Sequence, residues 1–167
     1  MRWRARTIVQ LHGARRASRP QLKRDPLGSY DSMCLGVYLA APDPLPEIQW
    51  SQERPAFNVG PITPDEDSVR RHFSHPHVYY LGSHTQCSCG FSSREEPEVA
   101  DRRRSLEGLQ GYLADATLRG PVELFVCWDG DYAEDPRQRI QLQAKDLAGR
   151  DDWLEERTFV EVRGAAA

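Results

Sequence analysis

Between residues 105 and 128 the sequence predicts a helix, a Gly-Pro pair that ends it, and a strand that follows directly. This succession is the strongest indication of the fold class. Apolar residues recur at helical spacing from Ser105 to Leu118, and Ser105 is a suitable N-cap. Gly120-Pro121 then ends the helix, since glycine accepts a positive φ and proline prevents continuation. Val122–Trp128 alternates as a strand does, so helix and strand belong to one domain.

The rest of the body adds further short strands and helices in irregular order. Alternation predicts strands near residues 34–41, 77–81, 139–142 and 156–162, with a possible short strand near 57–59, and short helices near 65–73 and 144–147. This order lacks the regular repeat of βαβ units. We therefore predict an α+β domain with a single antiparallel or mixed sheet, one main helix and shorter helices packed on one face. The predicted core consists of Leu35, Val37, Leu39, Val78, Tyr80, Leu106, Leu109, Leu113, Leu124, Val126, Phe159 and Val162.

Charge divides the chain near Met33. Residues 1–32 hold eight Lys or Arg against two Asp, which gives +6, whereas residues 33–167 hold fourteen against twenty-three Asp or Glu, which gives −9. The basic segment has little apolar periodicity. We interpret residues 1–32 as a disordered arm or as sequence upstream of a start at Met33, and residues 33–167 as one globular domain. Nucleic-acid binding is not expected unless that arm belongs to the protein.

Hydropathy excludes a membrane helix and favours a cytoplasmic protein. No apolar run approaches the ~20 residues that a span requires, and the N-terminus lacks the apolar centre of a secretory signal. In a reducing compartment the four cysteines are expected as free thiols or metal ligands.

Side-chain chemistry is concentrated in the segment Gly82–Phe91, which contains Cys87 and Cys89 one residue apart, with His84 upstream. Strand alternation puts Cys34 and Cys127 on faces opposite the helix-covered core, where they can approach each other and the Cys87/Cys89 turn. Four thiolates in a tetrahedron suit zinc, and imidazole is a substitute ligand. We therefore predict a zinc-type site with ligands drawn from Cys87, Cys89, Cys34, Cys127 and His84. Because residues i and i+2 of an extended strand lie ~6.6 Å apart, the backbone must turn between Ser88 and Gly90 for both thiols to reach one ion.

Two other functions fit the same residues. In the first, the Cys87/Cys89 pair is a thiol-redox couple that cycles through a disulfide. In the second, the protein is a non-enzymatic interaction module whose acidic body or basic arm binds a partner. Cys34 and Cys127 are then small buried apolar residues, which is common for free cysteine. The sequence gives no substrate and does not decide whether the protein is an enzyme.

Three segments together resemble a small, uncharacterised bacterial protein family. They are Met33-Cys34 at a strand start, residues 77–84 leading into Cys87-Ser88-Cys89-Gly90-Phe91, and Glu123–Trp128. The resemblance covers residues 33 to about 162. It implies a bacterial, cytoplasmic origin and implies no particular activity, cofactor or partner.

Overall fold

The computed structural model describes residues 34–92 and 98–164, which form one mixed six-stranded sheet with a long helix. The strands are β1 (Leu35–Ala41), β2 (Asn58–Pro61), β3 (His77–Gly82), β4 (Val122–Trp128), β5 (Gln138–Gln143) and β6 (Thr158–Arg163), and the helix is α1 (Val99–Ala116). Short 3-10 segments span Pro64–His72, Ser88–Phe91, Thr117–Arg119, Ala144–Gly149 and Asp152–Leu154. The predicted α+β fold is confirmed.

The sheet has the strand order β2-β3-β1-β4-β6-β5, so β1 and β4 lie at its centre. Neighbouring strands are antiparallel except β5 and β6, which are parallel. Every residue of β1 is buried. This follows from its nearly continuous apolar sequence, since a strand covered on both faces needs no polar alternation.

One face of the sheet packs against α1. Leu106, Leu109 and Leu113 contact inward residues of β1 and β4, and Leu109 and Leu113 are fully buried. Each fully buried leucine contributes about 1.5–3 kcal/mol relative to an exposed one. This packing accounts for the apolar stripe that the sequence shows.

The opposite face is covered by the 3-10 segment Pro64–His72, so the shorter helices do not all lie on the face of α1. Val69 packs against Tyr38 and Phe125, and the rings of His72 and Phe125 lie 4.3 Å apart. The Tyr38 hydroxyl donates to Glu66 over 2.8 Å. Val78 and Phe159, which the sequence assigns to the main core, belong to this second cluster.

Helix α1 begins six residues earlier than its apolar stripe indicates. The prediction of Ser105 as N-cap is wrong, because Ser105 lies fully buried inside the helix. Arg102 in the added turn donates to the carbonyl of Phe91 over 2.7 Å, and Arg103 pairs with Glu107. These contacts stabilise a charged turn that apolar periodicity alone does not mark.

The basic arm predicted over residues 1–32 lies outside the described residues. No helix in residues 34–92 and 98–164 is both long and apolar enough to cross a membrane.

Gly120 ends the turn after α1 with φ 139° and ψ 173°, a conformation that is essentially restricted to glycine. We expect Gly120→Ala to lower the free energy of unfolding by about 1–3 kcal/mol, because alanine is strained there. Urea denaturation followed by circular dichroism measures this. Gly149→Ala is the matched control, since a Cβ at Gly149 meets no atom within 4 Å. Equal stability of the two variants would contradict the assignment.

Candidate thiol site

Residues 83–92 form a loop that follows β3 and closes the end of the sheet between β1 and β3. Its anchor is Ser88, which is fully buried. The Ser88 hydroxyl accepts from the N–H of Val37 over 3.0 Å and donates to the carbonyl of Leu81 over 2.6 Å. Val37 and Leu81 are partners in the β1–β3 register, so the hydroxyl bridges the two strands at the last pair of their ladder.

Cys89 has the same role two residues nearer the start of β1. Its sulfur accepts from the N–H of Leu35 over 3.2 Å. Backbone donors in a protein interior need an acceptor, and this one finds a thiol instead of a strand carbonyl. The position of Cys89 is therefore set by the backbone of β1.

The backbone turn that the sequence requires around Ser88 is present. The 3-10 segment Ser88–Phe91 follows Cys87, and Gln86 before it has φ 70°. The Cys87 carbonyl accepts from the N–H of Ser83 over 3.1 Å and from the Ser83 hydroxyl over 2.6 Å, which closes the loop. A Cβ at Gly90 would lie 2.2 Å from the Ser83 hydroxyl oxygen, so only glycine fits there.

Cys87 lies partly buried at the beginning of that turn, with hydrogen-bond donors around its sulfur. Burial by itself raises the pKa of the Cys87 thiol. The Thr85 hydroxyl, the Cys89 thiol and the N–H groups of Cys89 and Gly90 outweigh this effect, and the pKa of Cys87 is lowered. The Thr85 oxygen lies 3.4 Å from the sulfur. Cys87 is thus the thiol that ionises more readily, and thiolate character controls reactivity.

Cys89 holds its proton more strongly than Cys87. Burial raises its pKa to about 12, and the charges of Cys87 and Cys34 add to this against the opposing hydrogen bond from the N–H of Leu35. The pair is therefore asymmetric: the pKa of Cys87 is lowered and that of Cys89 is raised.

His84 is buried behind the loop. Its backbone N–H donates to the Ser105 hydroxyl over 3.0 Å, and its Nδ1 lies 3.2 Å from the same oxygen. Burial lowers the pKa of His84, which favours the neutral ring. Nε2 is buried and has no hydrogen-bond partner among the described residues.

The remaining two cysteines lie in different places. Cys34 precedes β1, is partly buried, and lies close enough to Cys89 for its charge to raise the Cys89 pKa. Cys127 is fully buried on the opposite face, in the cluster of Tyr38 and Phe125. Burial raises the pKa of Cys127 to about 12, with smaller contributions from Asp131 and Asp129.

The structure thus holds Cys87 and Cys89 in one turn, brings the peptide bond after Cys34 to the Cys89 sulfur, and places Cys127 across the sheet from Cys89. Over residues 34–92 and 98–164, no three His, Cys, Asp or Glu side chains are grouped as a metal ion would require. The zinc-type site stays a prediction.

Sequence reasoning missed the hydroxyl residues that build the site. Ser83, Thr85, Ser88 and Ser105 contact the loop backbone, the Cys87 sulfur, β1 and His84 respectively. Hydroxyls at 83 and 85 near a glycine-bounded turn are a sequence signal for side-chain to backbone bonding. Ser105 gave no such signal, because its pattern also fits an N-cap.

Comparison with family models, with curated proteins and with solved structures finds no match for this chain. Its function is therefore argued from the site itself.

Ser88→Ala leaves the N–H of Val37 and the carbonyl of Leu81 without their shared partner. We expect the free energy of unfolding to fall by about 1–3 kcal/mol, the cost of a buried unsatisfied polar group. Ser92→Ala is the control, since Ser92 is exposed and its hydroxyl bonds only to the nearby Cys89 carbonyl. Denaturant titration compares the two, and a Ser88→Ala protein as stable as Ser92→Ala would refute the bridging role.

The alkylation rate of Cys87 tests its lowered pKa. A thiol reacts as the thiolate, so lowering the pKa moves the rise in rate to lower pH than in an unfolded peptide of the same sequence. Cys89→Ala removes the thiol donor and keeps the N–H of residue 89, and we expect the midpoint to move to higher pH. Iodoacetamide labelling followed by mass spectrometry gives the profile.

Cys127→Ala is the matched control for this measurement, because Cys127 lies on the other face of the sheet. Its profile should coincide with that of the unsubstituted protein. A Cys87 midpoint equal to that of the unfolded peptide would rule out activation by the loop.

Proposed function

We propose that the protein is a thiol-redox protein that exchanges disulfides through Cys87 and Cys89. The observation that carries this proposal is the placement of two partly buried free thiols, Cys87 and Cys89, at the beginning of one 3-10 turn. Exchange needs an ionised attacking thiol and a second thiol within reach of the first. Cys87, whose pKa is lowered, is the attacking thiol, and Cys89 is the second thiol.

The first step is attack of the Cys87 thiolate on a sulfur of a substrate disulfide. A bond forms between Cys87 and that sulfur, and the other substrate sulfur leaves as a thiolate. Thr85 and the N–H groups of Cys89 and Gly90 hold the attacking charge before the substrate arrives.

In the second step, Cys89 gives up its proton to solvent and attacks the Cys87 sulfur. The Cys87–Cys89 bond forms, and the second substrate sulfur leaves with its electron pair. The substrate disulfide is reduced to two thiols while the protein dithiol is oxidised to one disulfide. The loss of the hydrogen bonds to the Cys87 thiolate opposes oxidation, so the resulting disulfide is an oxidising one.

The cytoplasm is the compartment that fits this proposal. All four cysteines are free, and a reducing compartment keeps thiols available for exchange.

Zinc binding and a non-enzymatic interaction role are the competing hypotheses. The zinc content of the purified protein tests the first of them. Protein purified without a histidine tag and holding one equivalent of zinc that Cys87→Ser removes would favour the metal site over exchange.

Oxidised glutathione is the probe for exchange. In the first turnover we expect the reduced protein to lose the Cys87 and Cys89 thiols together, and Cys89→Ser to stop at a glutathione adduct on Cys87. Intact-mass spectrometry after acid quenching measures both products. Cys127→Ser, the matched control, should react like the unsubstituted protein.

Cys87→Ser should abolish the exchange, because burial raises the pKa of Cys89 in spite of the hydrogen bond from the N–H of Leu35. The same loss of thiols in Cys87→Ser and in the unsubstituted protein would overturn the proposal.

A further inference from the structure

We propose that Cys34 is a third exchange residue, which takes the disulfide over from the pair by forming a Cys34–Cys89 bond and releasing Cys87. This inference rests on the proposed function and adds a step to it. Its grounds are the contact between Cys89 and the first peptide bond of β1 and the partial exposure of the thiols.

The hydrogen bond from Leu35 to Cys89 fixes the distance. The donating nitrogen belongs to the peptide bond that joins Cys34 to Leu35, and it lies 3.2 Å from the Cys89 sulfur. The Cα of Cys34 is therefore no more than about 5.7 Å from that sulfur, given standard backbone dimensions. A disulfide needs the two sulfurs about 2.05 Å apart, so bonding requires the Cys34 side chain to rotate toward the Cys89 sulfur.

The Cys34 backbone is held in place for this contact. Its carbonyl accepts from the N–H of Asp129 over 2.8 Å, so Cys34 is attached to the end of β4 as well as to β1.

Accessibility distinguishes Cys34 from Cys127. Cys34, Cys87 and Cys89 are each partly buried, and Cys127 is fully buried beneath Tyr38 and Phe125 on the far face. Only Cys34 can therefore act as a third thiol without a rearrangement of the sheet.

Distance sets the direction of the step. An attacking thiolate can strike either sulfur of a Cys87–Cys89 disulfide, and the sulfur that it does not strike is expelled. Cys89 is the sulfur that accepts from the Cys34–Leu35 peptide bond. Attack by Cys34 therefore falls on Cys89 and expels Cys87.

The step balances without a further oxidant. Cys34 loses its proton to solvent, its sulfur bonds to Cys89, and the electron pair of the broken Cys87–Cys89 bond remains on Cys87 as a thiolate. One disulfide replaces another. Cys87 is then free to attack a second substrate disulfide and expel one substrate thiolate, so the fully oxidised protein carries the Cys34–Cys89 bond and a mixed disulfide between Cys87 and the substrate.

Peptide mapping of the full chain tests this step. Oxidised glutathione is added to the reduced protein, free thiols are blocked in acid, and trypsin is used without reductant. Trypsin separates fragment 25–70, which contains Cys34, from fragment 72–94, which contains Cys87 and Cys89, and from fragment 120–137, which contains Cys127. We expect fragments 25–70 and 72–94 joined by a disulfide, with glutathione on Cys87.

Cys34→Ser is the decisive variant. It should give an internal disulfide within fragment 72–94 and no lasting glutathione adduct on Cys87, because no third thiol releases that residue. Cys127→Ser should behave like the unsubstituted protein and show the joined fragments.

The failures of the two proposals are distinguishable. An internal disulfide in fragment 72–94 without any linkage to fragment 25–70 in the unsubstituted protein overturns the role of Cys34 and leaves the exchange pair intact. Joined fragments that persist in Cys89→Ser contradict the assigned direction, since the bond would then run to Cys87. Absence of every adduct on Cys87 overturns the exchange proposal and this step with it.

Discussion

The N–H groups of Leu35 and Val37 lie at the end of the sheet where β3 turns away, and each still needs an acceptor. The loop after β3 supplies two, the Cys89 sulfur and the Ser88 oxygen. Ser88 and Cys89 are adjacent in the chain, and the 3-10 turn that contains them begins directly after Cys87. The arrangement of the thiols thus follows from the hydrogen-bonding needs of a central strand.

Strand alternation and helix punctuation are enough to predict the sheet and its main helix. Val122–Trp128 and the Gly120 stop are local patterns, and the structure has them where the sequence puts them. The start of α1 was missed because its first turn is stabilised by contacts that are distant in sequence, such as that of Arg102 with Phe91. A second apolar cluster was missed because β1 is apolar on both faces, so its pattern does not say what covers each one.

The candidate site, like the fold, was predicted from the sequence only in part. The sequence predicts the Cys87/Cys89 turn, because Gly90 and the spacing are local features. Alternation also puts Cys127 correctly on the face opposite α1, but it does not say where a loop goes. Cys89 packs with the α1 side of the sheet and Cys127 with the other, and the layer between them is the sheet itself.

Ser88 and Cys89 take the place of a neighbouring strand at the start of β1, and this affects the tendency of the sheet to aggregate. An unpaired row of strand N–H groups is a template on which another chain can add a strand and begin to aggregate. Ser88 and Cys89 occupy that row at the beginning of β1 with short side chains that cannot propagate a ladder. The loop therefore protects the sheet against unwanted strand addition at the one end of β1 where β3 no longer covers it.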